Sequence, residues 1–255
     1  MFFCVLASGS HGNATWVEEN DKAVLIDNGL SAKEVETRAK ARGLNLNHLK
    51  ALAITHEHSD HIKGVGPLAR RYNLTVLTTK KTAQAAAPTI GRVQLKHFEP
   101  GADVDLGFLT LSTVAISHDA VEPLAYVIKG DSKVLGLLTD IGRVTHLVRE
   151  SLKNLTALVL EFNHDLTMLL EGEYPYHLKQ RVRGDGGHLS NEAGAALLGD
   201  LYHPGLKRVV LGHLSQQNNT PVLALRAAQA VLDRLGVKPY LSAAEQDEPT
   251  PVFEL

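Results

Sequence analysis

The sequence predicts an α/β fold, on three observations. Short apolar runs that read as strands alternate with helix-like segments along most of the 255 residues. A His or an Asp stands just past strand after strand: Asp27, His56, His118, Asp140, His164 and His213. Strand ends are where α/β folds gather ligand residues, so repeated delivery implies one face of a sheet assembly that shares one site. No low-complexity linker interrupts the pattern. Residues 1–255 are therefore expected to form a single domain with a sizeable core.

The elements follow in order. Residues 2–7 are an apolar strand ending in the turn-rich loop Ser8 to Asn13. Thr15–Glu18 and Ala23–Ile26 form a hairpin about Asn20-Asp21, and Ser31 caps a helix to about Arg42. Ala51–Ile54 is a short buried strand, followed by a helix from about Val65 to Tyr72 and a strand at Thr75–Thr78. A helix at 80–87 is expected to stop at Pro88. Turns at Glu99-Pro100-Gly101 and Asp105-Leu106-Gly107 divide short strands within 90–107. Leu109–Ser117 is a strand, and Ala125–Lys129 and Lys133–Thr139 are a hairpin. A helix at 144–153 precedes the strand Ala157–Phe162, and 166–187 reads as irregular. Ser190 caps a helix to about Tyr202, Arg208–Leu211 is a strand, and Pro221 opens a helix to Leu235. Val237–Ser242 is a last strand, and the acidic tail is expected to fray.

Composition narrows the class. The chain is 44% hydrophobic and 21% charged, as ordinary globular proteins are. No apolar run approaches a membrane span, and the N-terminus has no basic n-region. Cys4 is the one cysteine, so no intrachain disulfide forms, which fits a cytoplasmic protein with no membrane partner. The net charge of -2 does not advertise nucleic-acid binding, so any basic stripe must be local. Nothing in the sequence sets an oligomeric state.

The chemistry concentrates in Thr55–Gly64, THEHSDHIKG, where His56, His58, Asp60 and His61 fall within six positions. Imidazole nitrogen and carboxylate oxygen are ligands for borderline divalent metals. Four such residues are too many for one catalytic ion that must keep a position open for water. Two neighbouring ions are expected, Zn²⁺ or Mn²⁺, completed from elsewhere in the chain.

THEHSDH resembles the HxHxDH signature of the metallo-β-lactamase superfamily. His118, Asp140 in LLTDIG and His213 in LGHLS follow in matching order. LASGSHGNAT, SHDAVEP at 117–123, LEFNHD at 160–165 and GHLSNEA at 187–193 are similar to the YycJ/WalJ group of its nucleic-acid-processing branch. The resemblance implies a four-layer αββα sandwich, the metallo-β-lactamase fold. It implies that His56, His58 and His118 hold one ion, that Asp60, His61 and His213 hold the second, and that Asp140 bridges them. It also implies a 5′-to-3′ exonuclease acting on DNA, with a metal-bound hydroxide as nucleophile. Catalytic roles carry over to Asp60 and to His188, the latter as general acid towards the leaving alkoxide.

Other residues have weaker signals. Asp27 is expected to orient the metal loop by hydrogen bonds, and His164 to support a ligand or add one. Glu57 is expected to be solvated. Ser8, Ser10 and Asn13 could donate to phosphate oxygens from their Gly-rich loop; an ordinary turn is the alternative. Lys179, Arg181 and Arg183 alternate, so on a strand they would share one phosphate-facing side, with solvated surface as the alternative. Tyr174 and Tyr176 could stack on bases or pack the loop. Competing readings are a small-molecule, PhnP-like phosphodiesterase, an RNA-processing ribonuclease, and a non-catalytic metal-binding regulatory protein. The last would need a broken ligand set, and none of its members is missing.

Overall fold

A computed structural model describes residues 1–255. The chain divides into two compact units. The first comprises Met1–Thr113, Ala120–Leu124 and Glu245–Leu255, and the second Val114–Asp119 and Ala125–Ala244.

In the first unit, β1 (Phe2–Ala7), β2 (Ala14–Glu19) and β3 (Lys22–Ile26) pair antiparallel. Helix α1 (Ala32–Ala41) leads on to β4 (Leu49–Ala53). Ser31 and Glu34 close a capping box at the start of α1, which satisfies two otherwise orphaned donors. The metal stretch itself holds a single turn, α2 (Ser59–Ile62), before α3 (Val65–Tyr72). Then come β5 (Thr75–Thr78), α4 (Lys80–Ile90) and β6 (Gln94–His97). Strands β3 to β6 are parallel. A hairpin, β7 (Asp103–Asp105) with β8 (Thr110–Ala115), follows, and the last two residues of β8 belong to the second unit. Trp16, Leu25, Leu52 and Val76 from the sheet pack against Val35, Leu68 and Ala86 from the helices. Burial of a side chain such as these contributes roughly 1.5–3 kcal/mol.

In the second unit, β9 (Leu124–Lys129) pairs antiparallel with β10 (Val134–Leu138). Helix α5 (His146–Ser151) crosses to β11 (Ala157–Glu161), which lies parallel to β10. Next come α6 (Leu166–Glu171), α7 (Tyr176–Arg183) and α8 (Asn191–Leu201). Strand β12 (Arg208–Gly212), helix α9 (Pro221–Arg234) and β13 (Tyr240–Ala243) complete the unit, with β11, β12 and β13 parallel. Leu160, Phe162 and Leu211 pack against Leu198, Ala224 and Leu232.

Three expectations are corrected. Helix α4 runs through Pro88 to Ile90. A proline in the last turn forfeits one amide bond there, and Thr79 caps the other end by accepting from Thr82 N. The tail does not fray: β14 (Phe253–Glu254) pairs with β1, and the Phe253 and Phe3 rings lie 5.1 Å apart. The stretch 166–187 is largely helical. Asp165 caps α6 through Met168 N, Pro175 opens α7, and Gly172 and Gly184 end the two helices.

Candidate metal centre

The loop after β4 carries His56, His58, Asp60 and His61, and backbone contacts from two other loops hold it. Asn13 N donates to Asp60 O, Asn28 N to His61 O, and Gly64 N to Asn28 O. At Gly29 a Cβ would stand 1.8 Å from Asp60 O, so only glycine permits that approach. Asp27, at the end of β3, adopts the left-handed conformation (φ 58°) and turns its carboxylate onto the loop. It accepts from Thr55 N at 2.8 Å, Thr55 Oγ1 at 2.7 Å and His61 Nδ1 at 2.8 Å. Thr55 Oγ1 in turn faces His56 Nδ1 at 2.9 Å. The His56 ring centroid lies 4.1 Å from that of His61 and 4.6 Å from that of His58. Asp60 Oδ2 is 3.4 Å from His61 Nε2.

In the second unit the organising group is Glu161, the last residue of β11, fully buried. Its Oε1 accepts from Asp140 N at 3.1 Å and faces His188 Nδ1 and His213 Nδ1, each at 2.9 Å. Its Oε2 accepts from Ile141 N and Leu189 N, both at 3.0 Å. Asp140, Glu161, His188 and His213 thus converge, with one donor atom from each within 4.8 Å of the others. Asp140 Oδ1 also lies 3.8 Å from His118 Nε2. Asp140 and His213 sit at strand ends in the left-handed conformation, φ 59° and 55°. Such backbone strain persists where the surroundings over-determine it.

The hydrogen bonds set the tautomers. A carboxylate or carbonyl oxygen only accepts, so Nδ1 carries the proton in His61 on Asp27, in His118 on Gly187 O, and in His188 and His213 on Glu161. The lone pair then falls on Nε2, the arrangement that metal-binding histidines show when a second group fixes the ring. The donor chemistry therefore fits divalent cations. Burial alone would raise the Glu161 carboxyl, but the positive charge of His188 and His213 whenever they are protonated, with the hydrogen bonds they donate, outweighs it. The result is a pKa lowered to about 2.

Several sequence-predicted residues are placed differently. Glu57 is not simply solvated: its Oε1 accepts from Val121 N at 2.7 Å. Asn13 is buried, and its side chain is committed to Gly9, to Asp60 Oδ2 at 3.3 Å and to His61 Nε2 at 3.0 Å. Ser8 is buried and Ser10 exposed. Lys179, Arg181 and Arg183 lie on a helix, not a strand, so Arg181 faces away from the other two and pairs with Asp119 at 2.6 Å. His164 belongs to none of the converging donor groups, and its Nδ1 has no hydrogen-bond partner. Burial lowers its pKa to about 4. Glu161 was missed as a functional residue, although it lies within the LEFNHD motif and is the acid that closes the otherwise apolar strand ALVLE.

Residues 22–214 match the family model described as the beta-lactamase superfamily domain. The chain belongs to this family. It is 39% identical to "Exodeoxyribonuclease YycJ" of Bacillus anthracis over 92% of this chain and 90% of that one. It is 38% identical to "Exodeoxyribonuclease WalJ" of Streptococcus pneumoniae over 99% of this chain and 97% of that one. The metallo-beta-lactamase fold protein YhfI from Bacillus subtilis superposes with a TM-score of 0.72 over 98% of both chains, at 16% identity. That likeness is one of fold: two mixed sheets flanked by helices, as the HxHxDH signature implied. No helix is long and apolar enough to cross a membrane.

Proposed function

We propose that this protein is a cytoplasmic, dinuclear metal-dependent phosphodiester hydrolase, a 5′-to-3′ exonuclease acting on DNA. One observation carries the reading beyond family membership. His188 is a partly exposed imidazole whose Nδ1 is fixed on a buried carboxylate, in the same cluster as Asp140 and His213. With Nδ1 so held, Nε2 can take up a proton from solvent, and the buried Glu161 carboxylate stabilises the imidazolium that then gives that proton up. The two relatives named as exodeoxyribonucleases, matched over nearly the whole chain, support the choice of DNA.

In this proposal His56, His58 and His118 would hold one ion, Asp60, His61 and His213 would hold the other, and Asp140 would be shared by both. Zn²⁺ and Mn²⁺ both suit this mixture of imidazole and carboxylate. When bound, such ions offset phosphate charge and lower the pKa of water towards ~7. The chain's own residues do the rest. Asp27 and Thr55 aim His61 and His56. Asp60 orients the attacking water. His188 protonates the leaving alkoxide from Nε2, while Glu161 steadies the imidazolium through Nδ1. The chain forms one catalytic domain.

The test is an end-labelled assay on single- and double-stranded DNA and RNA with Zn²⁺ or Mn²⁺. Mononucleotides released from the 5′-phosphate end of DNA are expected. Cleavage of a small cyclic or aryl phosphodiester with no cleavage of any polymer would overturn the proposal in favour of a small-molecule phosphodiesterase.

A further inference from the structure

We infer that the Tyr176–Arg183 stripe of α7 is a platform for the unpaired bases and phosphates of a single-stranded nucleic-acid end. This rests on the phosphodiesterase reading above and names the element that receives the strand. Tyr176, Lys179, Gln180 and Arg183 stand at i, i+3, i+4 and i+7, so they form one stripe on the helix, exposed at Tyr176 and Arg183 and half-buried at Lys179 and Gln180. Tyr176 is 77% exposed, a large aromatic surface left to water. Leu166 and Leu170 of the preceding helix are also exposed. Lys179 reaches Leu170 O at 2.7 Å, and Arg183 donates to Gln180 Oε1 at 2.7 Å. No acid occurs between Tyr176 and Arg183; the nearest in the preceding sequence, Glu171 and Glu173, lie before the helix begins.

The opposite side of α7 is fastened to the candidate site. His188 N donates to Val182 O at 2.8 Å. Arg181 Nε donates to Asp119 Oδ2 at 2.6 Å, next to His118. A Cβ on Gly187 would stand 2.2 Å from both Arg181 O and Val182 O, so the His188 loop and the helix end meet backbone to backbone. A strand lying on the stripe is therefore held on the same rigid piece as the general acid. A stripe with an aromatic face, two cations and no carboxylate complements a polyanion with exposed base faces. Stacking requires those bases to be unpaired, which selects a single strand over a duplex.

The test is binding of metal-loaded protein to a short, fluorescent, 5′-phosphorylated single-stranded phosphorothioate oligonucleotide, read by anisotropy across a salt series. Tyr176→Ala is expected to weaken binding roughly 5- to 100-fold, and Tyr176→Phe by no more than about twofold. Lys179→Ala with Arg183→Ala is expected to lower the slope of log affinity on log salt by about 1.4. A blunt duplex should lose less than the single strand in Tyr176→Ala. If the wild type binds and cuts DNA while both variants match it, this inference falls and the phosphodiesterase reading stands. Equal losses in Tyr176→Phe and Tyr176→Ala would exclude stacking and also overturn the inference. If the wild type neither binds nor cuts any polynucleotide, both fail together.

Discussion

In the first unit, four donor residues come from one loop of six positions, and that loop is held by three backbone hydrogen bonds, one to Asn13 and two to Asn28. In the second, Asp140, His188 and His213 come from three separate places along the chain, and one buried carboxylate holds all three. Asp27 and Glu161 do the same chemical job of fixing an Nδ1–H, yet they differ in how much else depends on them. Asp27 accepts from one backbone amide, and Glu161 from three. A loop can therefore carry a site with distributed support, whereas residues gathered from distant strand ends need a single hub.

The largest expected effect is at that hub. Glu161→Ala leaves three buried amides without their acceptor, each costing ~1–3 kcal/mol. Denaturant unfolding should show a loss of at least about 3 kcal/mol. A loss no greater than that of Asp27→Ala would break the contrast between the two units. His188→Ala is expected to cut turnover ~10²–10⁴-fold while metal content is retained. Loss of bound metal would instead make His188 a ligand.

Acid should act on the second unit in particular. His164 is buried, with its pKa lowered from 6.5 to about 4. Below pH 6.5 the unfolded chain takes up a proton that the folded chain refuses. Stability is thus fully present above that pH and is lost as pH falls towards 4, by about 3 kcal/mol. Unfolding free energies of wild type and His164→Gln across this window should converge in slope only above it. A parallel pair of profiles would refute the assignment. The smallest effect is at Asp27. Asp27→Asn keeps the shape but loses the acceptor pattern at Thr55 and His61, and a drop of about 1–3 kcal/mol in unfolding free energy is expected.

Much of the first unit was legible because its signals are local. THEHSDH, the Asn20-Asp21 turn, the Ser31 cap and the strand that ends at Asp27 each lie within a few residues of what they control. The α/β alternation was legible in both units for the same reason. Glu161 was not, because its partners lie 20 to 52 residues away and an acid at a strand end reads as surface until its neighbours are known. Helices α6 and α7, of six and eight residues, are too short to show a period, although their caps at Asp165, Pro175 and Gly184 were in view. The pairing of β14 with β1 joins opposite ends of the chain, a contact no local pattern encodes.

The most direct measurement is metal content per chain after reconstitution and desalting, for wild type, His56→Ala with His58→Ala, and His213→Ala. Two ions should bind to the wild type, and each variant should fall to about one or fewer and lose DNA cleavage. Two ions retained in His213→Ala, or a fully active wild type that holds only one, would contradict the dinuclear account.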